Sequence, residues 1–145
     1  MKHTLPHYPI DSPLWLFEEN YRLLLELLSF DCEGGVVLHA ASGEAERLEI
    51  GVIERSRYTQ TITLRKSISF GKAWVPDIIM EARLYYDARV AEVLAYQNCR
   101  RLPAPYAVKG AVPFHKDEKR QANRLLNELL EHCLSQGFRP VGAAA

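Results

Sequence analysis

The chain has 145 residues, of which 48% are hydrophobic and 25% charged, and its 18 basic side chains balance 18 acidic ones. These values are typical of one globular domain with a single core, and the neutral charge lacks the basic excess of a dedicated nucleic-acid-binding protein. The three cysteines, Cys32, Cys99 and Cys133, include no CxxC pair, which argues against a disulfide framework or a zinc ribbon. We therefore expect a cytoplasmic protein with reduced thiols.

The first predicted element is a helix. Residues 1–10 lack the apolar stretch of a signal peptide and are expected to form an irregular leader. Asp11-Ser12-Pro13 places a capping side chain before a proline, which predicts a helix start there and a helix to about Ser29. Its apolar residues at helical spacing define one predicted buried stripe. The stripe consists of Leu14, Phe17, Tyr21, Leu24, Leu25 and Leu28. Its width is increased by Trp15, Leu16, Leu23 and Leu27, which predicts a helix buried on more than one side.

Three strands are predicted next, over residues 36–40, 47–54 and 58–65, and apolar and polar residues alternate in the last two. Residues 67–77, which include Gly71 and Pro76, are predicted to form a loop. Two large aromatics in that loop, Phe70 and Trp74, fit either a partner-binding surface or a cap over the sheet, and the sequence leaves both interpretations open.

A β-hairpin is predicted around Asp87-Ala88. With the turn there, Arg83 faces Glu92 and Leu84 faces Ala91. The alternation then gives one apolar and one mixed face, as expected of an antiparallel sheet covered on one side. The mixed face would present Tyr58, Arg83, Tyr85, Asp87 and Glu92.

The last predicted element is an amphipathic helix over about 116–136. Three prolines between 102 and 114 argue against a helix or a long strand before it. The acidic Asp117 and Glu118 fit a helix N-terminus, and Gly137 fits the position just after the end. The apolar stripe of this helix predicts that Leu126, Leu129 and Cys133 are buried. No membrane span is expected anywhere in the sequence, since no apolar run approaches ~20 residues.

These elements predict a single α+β domain over residues 11–138, followed by a disordered tail at 139–145. The expected architecture is an antiparallel sheet of four to five strands with the N- and C-terminal helices packed on one face.

No catalytic motif emerges from the polar residues. Arg83 and Glu92 are best explained as a cross-strand ion pair on a solvated face. His115 and Glu118, at i and i+3, have no evident third ligand, so neither a metal nor a cofactor is expected. Cys99 precedes Arg100-Arg101 but has no recognisable histidine partner, which argues against nucleophilic catalysis.

Several short segments carry a family resemblance. They are Ser56-Arg57-Tyr58-Thr59, Arg83-Leu84-Tyr85 with Asp87-Ala88 and Ala91-Glu92-Val93, Asp117-Glu118-Lys119 with Gln121 and Asn123, and Cys133-Leu134 with Gly137. Through them the chain resembles the YqiB-like proteins of proteobacteria over roughly residues 10–138. The resemblance implies a shared fold and a cytosolic bacterial setting. It implies no reaction and no catalytic residue.

Two functions are consistent with these patterns. The first is a non-enzymatic accessory domain that binds a protein or a small ligand through the mixed face; nucleic acid is not expected. The alternative is a small hydrolase or transferase acting on a phosphorylated ligand, with Arg57 and Arg83 as anion clamps and Glu92 or Asp117 as base. The candidate binding residues are Arg57, Tyr58, Arg83, Tyr85, Asp87, Glu92 and Asp117. The alternative requires Arg57, Arg83, Glu92 and Asp117 to converge in one concave pocket.

Overall fold

A six-stranded antiparallel sheet and two helices make up the fold, in a computed structural model that describes residues 14–28, 35–41, 45–70, 73–98 and 116–140. The strand order is β5-β4-β3-β2-β1-β6. The elements are α1 (Leu14–Leu27), β1 (Val36–His39), β2 (Glu46–Arg55), β3 (Thr59–Phe70), β4 (Ala73–Tyr85), β5 (Val90–Asn98), α2 (Lys116–Ser135) and β6 (Arg139–Pro140). The α+β class is confirmed, but the predicted count of four to five strands is wrong.

One hydrophobic core lies between the two helices and one face of the sheet. Alternate residues of the strands point into it, including Leu48, Ile62 and Leu84, each fully buried. From α2, Leu126 and Leu129 are 0% and 4% exposed, which confirms their predicted place in the core. Burial of this many large aliphatic side chains is the main force that holds the helices on the sheet.

Helix α1 buries only part of the broad apolar surface predicted for it. Its buried residues are Leu16, Asn20, Leu23, Leu24 and Leu27, whereas the predicted stripe residue Leu25 is 42% exposed. Apolar residues occur on most sides of this helix, so spacing alone did not select the buried stripe. The true stripe also includes a polar residue, Asn20, which a hydrophobic pattern cannot reveal.

The predicted loop at 67–77 is wrong, because residues 59–70 and 73–85 form two long paired strands. Lys66 pairs with Ile78 and Ser67 pairs with Pro76, so Asp77 is an extra residue in β4. Such a β-bulge interrupts the regular ladder locally and tolerates a proline that a regular central strand would not. The proline was therefore misread as the mark of a loop.

The predicted register of the β4–β5 hairpin is confirmed: Arg83 faces Glu92, Leu84 faces Ala91, and Tyr85 faces Val90. The four residues between the strands include Arg89, whose φ of 58° lies in the left-handed region. Regular alternation after Ala91 and Val93 predicts Ala95 on the apolar face. A bulge shifts the register between Glu81 and Ala82, however, and Ala95 pairs with Glu81 on the mixed face.

Helix α2 is followed by a short strand. Gly137 has φ of 67°, a conformation that favours glycine after a helix end. Arg139 and Pro140 then pair with His39 and Leu38 of β1. These two residues fall inside the range assigned to the tail; residues 141–145, like the leader 1–10, lie outside the described part of the chain.

Candidate functional site

The sheet face opposite the core is the candidate binding surface, and we call it the open face. Both helices contribute their buried apolar residues to the core cluster on the other side. The pairing register places polar and apolar side chains together on the open face. Its residues include Val37, Glu49, Gly51, Thr61, Thr63, Arg65, Ile79, Glu81, Arg83, Tyr85 and Glu92.

Three predicted site residues lie together on this face. The Tyr85 hydroxyl donates to Glu92 Oε2 at 2.7 Å, and the Arg83 Nε donates to Thr61 Oγ1 at 3.0 Å. The predicted direct ion pair between Arg83 and Glu92 is not formed. Glu92 instead binds Lys119 Nζ of α2 at 2.7 Å, while Arg83 lies 3.9 Å from Glu54 Oε1.

These contacts make Glu92 a stable anion. Burial opposes its ionisation, but hydrogen bonds from Lys119 and Tyr85 outweigh that effect and hold the pKa of Glu92 below 4.5. Burial and the neighbouring Glu92 together raise the pKa of Tyr85 above 10.0. A carboxylate with a lowered pKa is a weak base, so this geometry does not favour the predicted catalytic role of Glu92.

The other predicted residues lie where the β2–β3 and β4–β5 turns meet, a region we call the turn end. The Tyr86 N–H donates to the Tyr58 carbonyl at 2.8 Å. Tyr58 is 52% exposed, and the Arg57 guanidinium lies 5.3 Å from the centre of its ring. Asp87 is exposed, and its side chain accepts a hydrogen bond from the Ala88 N–H.

The convergence required by the enzyme hypothesis is not found among the described side chains. A groove on the open face, over β1–β4, is lined by none of Arg57, Arg83 or Glu92. The side chain of Asp117 lies outside the described part of the structure, as do His115 and the side chains of Phe70 and Trp74. Their predicted roles stay predictions.

That groove has a volume of about 610 Å³, within the range of about 300–1,000 Å³ typical of ligand pockets. Gly51 keeps it open, because a Cβ there would lie 3.0 Å from Thr63 Oγ1. A smaller recess of about 170 Å³ continues it across β4 and β5 and shares Thr63 and Ile79 with it. The groove is lined by Gly35, Val36, Val37, Glu49, Ile50, Gly51, Thr63, Arg65 and Ile79.

Comparison with known proteins places the chain in a family. A family described as "Protein of unknown function (DUF1249)" matches residues 23–139. The chain belongs to this family.

The DUF1249 assignment agrees with the curated relatives. The chain is 34% identical to the "Uncharacterized protein YqiB" of Escherichia coli strain K12 over 139 residues, which cover 94% of the chain and 95% of the relative. The same identity and coverage hold for the proteins of that name from strains O6:H1 and O157:H7. The resemblance inferred from the sequence is thereby confirmed. No solved structure matches the chain.

Sequence reasoning missed a group of four ionisable residues on the core side of the sheet, Glu46, Lys66, Asp77 and His132, which we call the lysine cluster. Lys66 Nζ lies 3.1 Å from Glu46 Oε1 and 3.4 Å from Asp77 Oδ2. His132 Nε2 of α2 lies 3.0 Å from the same Glu46 oxygen. Lys66 and Asp77 are 8% and 6% exposed. Glu46 and Lys66 lie just outside the predicted strands 47–54 and 58–65, and Asp77 lies in the predicted loop. No signal in the sequence therefore connects these three residues.

A second missed group consists of asparagines between the helices and β5. The Val93 N–H donates to Asn123 Oδ1 at 3.0 Å. Asn20 Nδ2 donates to the Asn123 carbonyl at 3.0 Å, and Asn127 Nδ2 donates to Asn20 Oδ1 at 3.0 Å. Asn123 belongs to one of the segments that carry the resemblance to the family. That resemblance marked the residue in the sequence but did not reveal its structural role.

The described residues contain neither a metal-binding group nor a membrane-spanning helix. No group of three or more His, Cys, Asp or Glu side chains among them could hold a metal ion. No helix in the same part of the chain is long and apolar enough to cross a membrane.

Proposed function

We propose that the chain is a non-catalytic binding domain that engages an acidic segment of a partner protein through the turn end of its sheet. The observation that carries the proposal is a basic and aromatic surface there. Arg55, Arg57 and Arg89 are all exposed, and none forms an ion pair with another residue in the described ranges. Arginines without intramolecular partners are available to bind carboxylates.

Apolar contact area accompanies these charges. Tyr58 and Ile53 are 52% and 53% exposed. Tyrosine and arginine are the residue types enriched in protein interfaces and their energetic centres. Arg57 packs against the Tyr58 ring, so the pair offers a cation and an aromatic surface in one place.

Backbone strain at the same turn supports the proposal. Arg89 has φ of 58°, a conformation that costs a residue with a Cβ about 1 kcal/mol or more relative to glycine. A glycine there would relieve this cost but would remove one of the three arginines. Retention of a charged side chain at a strained position favours a role in binding.

A site-specific photo-crosslinker tests the proposal in cells. Benzoylphenylalanine in place of Tyr58 should capture an acidic segment of one protein, and a second change, Arg57→Glu, should abolish the product by charge repulsion. Trp15, which is 53% exposed on α1, provides a matched position for the same crosslinker. The exposed Arg124 on α2 provides a matched charge reversal, Arg124→Glu.

Three results would contradict the proposal. They are the same product from position 15, a product that survives Arg57→Glu, and a nucleic acid as the captured partner.

A further inference from the structure

The open face also has a concave region away from the turn end. The groove over β1–β4 and the recess over β4–β5 share Thr63 and Ile79, so together they form one trough across the sheet. We infer that this trough binds a peptide-like zwitterion, with the ligand carboxylate on Arg65 and the ligand ammonium on Glu81.

The first support is a pair of opposite charges without partners. Arg65 is exposed and Glu81 is half-buried, and neither forms an ion pair with any side chain that the structure describes. Glu49, the other acidic residue in the groove, is paired with Arg47 at 3.2 Å. The trough therefore has one available cation and one available anion.

The charges decide the class of ligand. A ligand that is only anionic would be repelled by Glu81, and one that is only cationic would be repelled by Arg65. A zwitterion matches both, and the planar guanidinium of Arg65 can bind a carboxylate through two parallel hydrogen bonds.

The register gives the separation of the two backbone positions that carry these charges. Arg65 faces Ile79 and Thr63 faces Glu81, so Arg65 and Glu81 are diagonal neighbours on adjacent strands. Such positions are on the order of 7–8 Å apart. Two residues of extended chain span about 7 Å, since each contributes roughly 3.3–3.6 Å. The spacing of the two attachment positions therefore matches the length of a dipeptide rather than that of one free amino acid.

The walls fit a ligand with an apolar body. Val37 and Ile79 line the groove between its polar groups, and Val37 is 36% exposed. The Thr63 hydroxyl lies where the groove and the recess meet and can bond to a peptide group. Gly51 leaves the space over Thr63 free.

Isothermal titration with four probes tests this inference on the whole chain. The probes are leucyl-leucine, its N-acetyl derivative, its C-terminal amide, and free leucine. We expect leucyl-leucine to bind, and each of the other three to bind roughly tenfold or more weakly, because each loses a charged hydrogen bond or the matching length. Equal binding of the N-acetyl derivative, or binding by none of the probes, would overturn the inference.

Variants locate the site. Arg65→Met and Glu81→Gln should each weaken leucyl-leucine binding by roughly tenfold or more, and Gly51→Val should block it by filling the groove. Arg139→Met, at an exposed arginine on β6, is the matched control and should bind leucyl-leucine normally. Binding that survives Arg65→Met would place the site elsewhere.

If a variant fails to fold, the four probes on the native chain still decide whether the trough binds a dipeptide. Arg57→Glu should leave dipeptide binding intact, so this inference and the proposed function can fail separately.

Discussion

Asp77 reaches Lys66 because β4 carries one extra residue at that point. Lys66 pairs with Ile78, and Ser67 pairs with Pro76, so the register skips Asp77. In a ladder without the bulge, Asp77 would be the residue that pairs with Ser67. The bulge turns its carboxylate toward the ammonium of Lys66, 3.4 Å away, where both side chains are almost fully buried. A bulge that redirects a side chain in this way is a designed feature of a sheet rather than a defect.

We expect Lys66→Met to be among the most destabilising substitutions on the sheet. It would leave the carboxylates of Glu46 and Asp77 without their shared cation, and the loss of one partner from a buried ionic group costs about 3–5 kcal/mol. Asp77→Asn should cost less, because Lys66 keeps Glu46. Urea unfolding of the two variants measures the difference, and the reverse order would show that the cluster does not depend on its lysine.

The thiol of Cys133 should react slowly in the folded protein. It is 0% exposed, and burial raises its pKa to about 12, so both access and the thiolate fraction are low. A Cys32→Ser, Cys99→Ser double variant leaves Cys133 as the sole thiol for the measurement. Reaction with a maleimide should be fast in denaturant and slow without it. Equal rates would mean that this side of α2 does not pack on the sheet.

The sequence predicted the elements that depend on local pattern. The β4–β5 register followed from alternation on either side of a short turn, and α2 followed from its single clear apolar stripe. The stripe of α1 could not be assigned, because Leu25 is as apolar as Leu24 and only tertiary packing distinguishes them. The end of β3 and the start of β4 were not predicted, because Pro76 argues against a strand unless a bulge accommodates the proline.

The candidate site was only partly predictable for the same reason. Alternation placed Arg83, Tyr85 and Glu92 on one face, but it could not show that Lys119, from a helix distant in sequence, would bind Glu92. The groove depends on Gly51 lying beside Thr63, which requires the register of β2 and β3 to within one residue. Long-range register of this kind has no signal in a single sequence.

Asn123→Ala should destabilise the fold by about 1–3 kcal/mol, because it removes the acceptor of the Val93 N–H at the buried edge strand. Asn127→Ala is the matched control: Asn127 is only partly buried and donates a side-chain hydrogen bond to Asn20. It should cost less. Hydrogen exchange gives an independent measurement, since the Val93 amide should lose protection in Asn123→Ala and keep it in Asn127→Ala.

Stability should fall on acidification below pH about 4.5. Burial alone would raise the pKa values of Glu46 and Glu92. Hydrogen bonds from Lys66 and His132 outweigh this effect at Glu46, and hydrogen bonds from Lys119 and Tyr85 outweigh it at Glu92. Both pKa values are therefore below 4.5 in the folded protein. A lowered folded pKa contributes stability that is present above the unfolded pKa and is lost as pH falls through the folded one.

The check on this pH dependence is a pair of variants. Glu46→Gln and Glu92→Gln should each make the unfolding midpoint less dependent on pH below about 4.5. Glu131→Gln, at an exposed carboxylate on α2, serves as the control. A profile that is equally steep in all three variants would assign the acid sensitivity to other groups.

The partners of Glu92 can be ranked by double-mutant cycles. Glu92 and Lys119 are 2.7 Å apart, with Glu92 mostly buried and Lys119 half-exposed, and pairs of this kind couple by about 0.2–1 kcal/mol with screening by salt. Arg83 faces Glu92 in the register but binds Thr61 and Glu54. The Arg83–Glu92 coupling should therefore be the smaller one, below about 0.5 kcal/mol, as for groups without direct contact. A larger coupling for Arg83–Glu92 than for Glu92–Lys119 would mean that Glu92 turns to its cross-strand neighbour in solution. Arg83 would then be withdrawn from Glu54, and the side of the open face nearest the turn end would carry a different distribution of charge.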